Sequence, residues 1–145
     1  MIYTDMTKKA MIVAYNAHHG KMDKCGVPYI YHPVHVAEQM RTEEEMTAAL
    51  LHDVVEDTEV TLEQLAGAGF PPAVVEAVRL LTHEDGTDYM DYVARLKSNP
   101  IARAVKLADL AHNSEPSRMG GELTGEDFRR MEKYKAAKAL LERNT

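Results

Sequence analysis

Three features of this sequence predict an all-α fold. Apolar residues recur at helical spacing from end to end, no stretch sustains the strict alternation of a half-buried strand, and capping residues precede most apolar runs. A first helix takes Thr4 or Asp5 as its cap, carries Met11, Ile12, Ala14 and Tyr15, and stops near His19 at Gly20. Lys21 to Tyr31 reads as a loop containing Gly26, Pro28 and two tyrosines, and its glycines, with Gly20 before it, allow it to move over a ligand. Pro33 suits the first position of a short second helix with Val34, Val36, Ala37 and Met40. Thr42 with Glu45 forms a capping box before Met46–Leu51, and Thr61 with Gln64 repeats it before Leu62 and Leu65. Pro71–Pro72 opens a helix through Val74, Val75, Val78 and Leu81. Two more, Asp88–Lys97 and Ile101–His112, are divided by Asn99–Pro100. After a loop at Gly120–Gly121, Thr124 with Asp127 starts a polar last helix ending near Arg143. The expectation is a bundle of about seven helices.

Its 145 residues are read as one domain, 1–145, large enough to bury about two thirds of its unfolded surface. No apolar run approaches the roughly 20 residues a bilayer needs, and Met1–Asp5 lacks the basic and apolar stretches of a signal peptide. A single cysteine, Cys25, excludes an internal disulfide and points to a reducing cytoplasm. The net charge of -6 argues against nucleic-acid binding, which needs a basic face. A small anionic substrate stays compatible with it, because a bound divalent cation reverses the local field. The apolar content suits either a monomer or a helix-paired homodimer.

The chemistry concentrates at His52–Asp53, at the end of the apolar run Ala48–Leu51, with Glu56 and Asp57 one helical turn further. On a continuing helix these four ionisable groups share one patch, which packing alone does not account for. Their candidate partners are His32, in Tyr29–Pro33, and Asp109, in Lys106–Asn113. Two imidazoles and two carboxylates suit a borderline-to-hard divalent ion such as Mn²⁺, Fe²⁺ or Co²⁺, with Zn²⁺ a further option. Such an ion lowers the pKa of a bound water and polarises a phosphoryl oxygen. Glu56 and Asp57 would lie near that water as general base, general acid or orienting groups.

Other residues have plainer readings. His32 beside Pro33 could cap a helix, and His35, three residues on, makes a rival two-histidine pair with it. His18 and His19 suit a helix carboxyl end, where an imidazolium meets the dipole. His112 could orient Asp109, His83 reads as a helix-end residue, and Asp85 and Asp88 as a solvated loop. Glu43–Glu45 is an acidic first turn, and Tyr89 and Tyr92 read as packing.

Together these residues resemble a known family. Ala17–Lys21 with Lys24–Pro33, then Leu50–Thr58, then Val105–Asn113, resemble in order the three motifs of the RelA/SpoT-type HD hydrolases, over about residues 5–118. The resemblance implies an all-α HD-domain bundle in which His32, His52, Asp53 and Asp109 bind one Mn²⁺ and the acids Glu56 and Asp57 support hydrolysis. The reaction it implies is release of pyrophosphate from the 3′ position of guanosine 3′,5′-bis(diphosphate), ppGpp, an alarmone of the stringent response.

The departures fall on the substrate side. Asp23–Lys24 stands where the family commonly has Arg-Lys, whose arginine packs against guanine, and Cys25 replaces a serine. Leu110 stands where arginine is usual, and Asn113–Pro116 replaces a stretch ending in threonine. Aspartate can neither stack on a base nor offer a cation. Lys24, Lys106, Asn113 and Arg118 are candidate phosphate or ribose contacts. Two rival functions are therefore kept. One is a phosphatase or pyrophosphatase for another nucleotide or phosphate ester, with Asp23 bonding the amino group of a different base. The other is a metal-containing nucleotide-binding module without turnover.

Overall fold

Side-chain caps begin the helices where the sequence predicts them. Thr4, Thr42, Thr61 and Thr124 each accept the backbone N–H three residues on, at 3.1 Å in every case. Thr7, Glu45, Gln64 and Asp127 accept the reciprocal N–H of the cap residue. Each such cap satisfies two otherwise orphaned donors and contributes about 1 kcal/mol. The computed structural model describes residues 1–143. Among them the helices are α1 (Asp5–Ala17), α2 (Tyr31–Glu38), α3 (Glu43–Leu51), α4 (Val54–Asp57), α5 (Leu62–Gly67), α6 (Pro72–Leu81), α7 (Tyr89–Leu96), α8 (Pro100–Asn113) and α9 (Gly125–Glu142). A 3-10 turn, Pro116–Arg118, follows α8, and the described residues contain no β-sheet. The fold is all-α, as predicted, and none of these helices is long and apolar enough to cross a membrane.

The core is built around α3. Met46 through Leu51 are all buried, so this helix has no solvent face beyond its acidic first turn. It packs against α1, α2, α6 and α8. Ala48 and Ala49, both fully buried, keep those neighbours close. Leu50 and Leu51 join Val36, Val74, Val78, Leu96 and Val105 in the core. A further layer, α7 and α9, closes over α8.

Two boundaries differ from those read in the sequence, and both matter for function. The first is at α2, which starts at Tyr31, so Pro33 is its third residue and His32 lies inside its first turn rather than capping it. The second is at α3, which does not continue into Glu56 and Asp57 but ends at Leu51, with His52 as its C-cap and Asp53 as the N-cap of α4. The break has a local cause. The Ala49 carbonyl, which a continuing helix would offer to the Asp53 N–H, accepts instead from the His52 N–H at 3.4 Å and the His52 ring at 2.5 Å. The structure thus has nine helices among the described residues against about seven expected, and this junction accounts for α4.

The predicted loop folds into a small hairpin. Met22 and Pro28 form an isolated antiparallel bridge, and the Tyr29 N–H bonds the Lys21 carbonyl at 2.8 Å. It packs against the segment after α8. There Gly120 has φ +75°, and a Cβ on it would lie 2.7 Å from the Lys24 carbonyl oxygen. Gly120→Ala is therefore expected to cost about 1–3 kcal/mol from backbone strain plus the clash. Denaturant unfolding of the ion-free protein checks this, and an unchanged midpoint would contradict it.

Candidate metal centre

The first turn of α2, the α3–α4 junction and the third turn of α8 bring four sequence-predicted residues together. One ligand atom from each of His32, His52, Asp53 and Asp109 lies within 4.8 Å of all the others. His32 Nε2 is 2.9 Å from Asp109 Oδ1 and 3.7 Å from Asp53 Oδ2. His52 Nε2 is 3.2 Å from Asp53 Oδ2 and 3.3 Å from Asp109 Oδ1.

The hydrogen bonds around His52 define what fits there. The Ala49 carbonyl can only accept, so His52 Nδ1 carries the proton and Nε2 of the neutral ring presents a lone pair. That lone pair faces two carboxylate oxygens, which are also acceptors. Such an arrangement needs a cation between them, a proton or a metal ion. Burial alone would lower the His52 pKa, but Asp53 and Asp109 outweigh it and hold it well above the usual histidine value. Burial would raise the Asp109 pKa, yet Lys106 and the two histidines hold it well below the carboxylate range. The groups present fit a divalent cation in place of a proton: two imidazole nitrogens, two carboxylate oxygens and a His52 ring whose Nδ1–H is fixed by the Ala49 carbonyl.

Each candidate ligand has an outer partner. His32 Nδ1 lies 2.8 Å from His112 Nδ1, and His112 stacks on His35 at 3.9 Å. Burial, with Arg118 adding to it, pushes His112 down to about 4, so its ring is neutral. Tyr29 donates its hydroxyl to Asp53 Oδ2. Lys106 Nζ and Asn113 Nδ2 each donate to Asp109 at 3.0 Å.

A cleft of about 220 Å³ opens on His52, Asp53 and Asp109, with Glu56, Asp57, Lys106 and Lys133 on its walls. Glu56 Oε1 accepts the His83 N–H at 2.6 Å, leaving Oε2 without that bond. Burial first, then the charges of Asp53 and Glu56, push Asp57 up to about 6, against Lys21. Lys21 Nζ anchors the end of α4 by donating to the Asp57 carbonyl. Tyr29, Asn113 and Tyr134 are shared with an adjoining cleft of about 340 Å³, which Lys24, Arg118 and Arg130 also line. A larger groove of about 950 Å³ runs along the outer sides of α2 and α8, and none of the four clustered residues lines it.

Of the four candidate substrate contacts, Lys106 and Asn113 lie at the centre itself and Arg118 bonds Asn113. Lys24 stands apart, half exposed and 4.0 Å from Asp127.

Several plainer readings are corrected. His35 is outside the cluster and stacks on His112, so it makes no ligand pair with His32. His112 bonds His32 rather than Asp109. His18 is buried against the Tyr29 ring, and burial lowers its pKa, so it brings no charge to the α1 terminus. Asp88 caps α7, accepting from Met90 and Asp91. Tyr89 and Tyr92 pack, but also wall the cleft, with Lys106 Nζ 5.7 and 5.2 Å from their ring centres. Tyr29, Arg130, Lys133 and Tyr134 escape a sequence reading. Only Tyr29 carries a signal, as part of Tyr29–Pro33.

Comparison with known proteins agrees with this geometry. Residues 10–119 match the family model described as HD domain. A guanosine-3′,5′-bis(diphosphate) 3′-pyrophosphohydrolase of Vibrio cholerae is 42% identical over 88 residues, 58% of this chain and 12% of that protein. The bifunctional (p)ppGpp synthase/hydrolase SpoT of Escherichia coli is 35% identical over 124 residues, 73% of this chain and 17% of that protein. The chain thus spans less than a fifth of the length of these curated relatives. Among solved structures, one described as a metazoan ortholog of SpoT that hydrolyzes ppGpp superposes with a TM-score of 0.82 at 22% identity, covering 98% of this chain and 88% of that one. With three motifs in order, the matching fold and the His–Asp cluster at their meeting point, this chain belongs to the HD-domain family, on its RelA/SpoT-type side.

Proposed function

We propose that the protein is a metal-dependent phosphohydrolase acting on a nucleotide, with the 3′-pyrophosphate of ppGpp as its leading substrate. Mn²⁺ is the proposed ion, held by His32, His52, Asp53 and Asp109. One observation carries the reading: the His–Asp cluster, whose lone pairs and carboxylates need a cation, opens through His52, Asp53 and Asp109 onto a cleft walled by two acids and two lysines. A divalent ion bound there supplies Lewis acidity toward a phosphoryl oxygen and a water of lowered pKa.

The chain's own groups do the rest. Glu56, fixed through one oxygen by the His83 N–H, has its other oxygen to accept a proton from the attacking water. Asp57, with its pKa near neutrality, can donate a proton to the leaving oxygen. Lys106 binds Asp109 with one donor and has two more for a phosphate, and Lys133 lines the same cleft. Asn113, Arg118 and Lys24 extend the same polar surface into the adjoining cleft. A cytoplasmic site of action belongs to this reading, supported by the single exposed thiol of Cys25. The rival substrate, another nucleotide or phosphate ester, is favoured by Asp23 at the position where the resemblance implies a guanine-stacking arginine.

A chromatographic turnover assay tests the proposal. Mn²⁺-loaded protein is offered ppGpp, its adenosine analogue, cyclic nucleotides and ordinary mono-, di- and triphosphates, with Asp109→Asn as the blank. Pyrophosphate release from ppGpp, absent in the blank, is the expected result. Hydrolysis of another compound alone would move the substrate and keep the mechanism. Metal binding with no turnover anywhere would leave a binding module.

A further inference from the structure

The hairpin before α2 and the segment after α8 are fastened together beside the metal centre. Asp23 is the fastening on the hairpin side. Its Oδ1 accepts the Cys25 and Val27 N–H groups at 2.8 and 3.0 Å, and its Oδ2 lies 3.8 Å from Arg118 Nη2. Oδ1 is thus held by the hairpin turn while Oδ2 faces the Arg118 guanidinium, so the Asp23 carboxylate has partners on both sides within the fold. On the other side, Arg118 Nη1 donates to the His112 carbonyl at 3.2 Å and to Asn113 Oδ1 at 3.1 Å. Asn113 in turn donates through Nδ2 to Asp109 Oδ1.

The direction of this chain is fixed chemically. A guanidinium only donates and an ionised carboxylate only accepts, so the Asn113 amide must turn its oxygen to Arg118 and its NH₂ to Asp109. Reversing the amide would break both bonds at once. The Asp109 oxygen it holds is the same one that faces His32 and His52.

We infer that Asp23 and Arg118 are positioning residues of the metal centre, acting through Asn113 to hold Asp109 in its cation-binding orientation. The inference rests on the metal-binding reading above. It gives the charge reversal at position 23 a use within the fold, so Asp23→Arg would set two arginines against each other.

The test is an electron paramagnetic resonance titration with Mn²⁺ alone, without nucleotide. It uses the wild type, Asp23→Asn, Arg118→Gln and the double variant. Asp23→Asn keeps the oxygen that accepts from Cys25 and Val27, so the hairpin turn is retained while the ion pair is lost. Each single change is expected to weaken Mn²⁺ binding on the order of tenfold, the range for outer partners of metal ligands. The double variant is expected to be no weaker than the worse single one, because both act on one chain of bonds. Helical circular dichroism should stay unchanged in all of them. Unchanged Mn²⁺ affinity in the single variants, or independent additive losses, would overturn the inference while leaving the metal site standing. Wild-type affinity no better than that of His52→Ala would overturn the metal reading and this inference with it.

Discussion

His52→Ala is expected to lose divalent-cation binding and turnover together. The imidazole is the proposed source of a ligand nitrogen whose proton is kept on the other side of the ring by the Ala49 carbonyl, and among the described residues His32 is the other imidazole of the cluster. Outer partners of metal ligands are typically worth 10- to 100-fold in affinity, so loss of a ligand should exceed about a hundredfold and reduce hydrolysis to background. The helices should persist, because the α3 ladder ends before His52 and its neighbours Leu50 and Leu51 stay packed. Mn²⁺ titration beside circular dichroism separates the two effects. Wild-type affinity in a folded His52→Ala protein would remove this cluster as the metal site.

Glu56→Gln is expected to do the reverse, retaining the cation and losing the rate. Glutamine keeps a carbonyl oxygen for the His83 N–H and nearly the same shape, so the wall of the cleft stays in place. What disappears is an oxygen able to take a proton. General-base catalysis contributes about 10²–10⁴-fold, and kcat at saturating Mn²⁺ should fall within that range while the Mn²⁺ dissociation constant holds. Full activity with metal bound would reassign the base to another group.

Much of the architecture was legible because helix starts are local. Thr42 and Glu45 lie three residues apart in sequence and in space, and the same holds for Thr61 and Gln64. The clustering of His32, His52, Asp53 and Asp109 was legible for a different reason: the motif order ties these four residues together before any contact is known. Tertiary competition was harder to see. The α3–α4 break depends on a ring nitrogen capturing the Ala49 carbonyl, which periodicity cannot reveal. His112 and Asn113 are neighbours on α8, yet one turns to His32 and the other to Asp109. The contribution of α9 was invisible altogether. Its polar sequence suggests a solvated helix, and only packing on α7 and α8 brings Arg130, Lys133 and Tyr134 to the clefts.

His32 and Asp109 meet across 77 residues of chain. No fragment short of that interval can assemble the centre, and an unfolded chain offers an ion only scattered, competing donors. Occupancy is thus a reporter of the completed fold, coupled to it by mass action. With the ion at a hundred times its dissociation constant, the native state gains about 2.7 kcal/mol over the unfolded one. A catalytic ion bound here, as proposed, would also serve as a thermodynamic rivet, and the cell's supply of that metal would set how long the molecule survives as well as how fast it works.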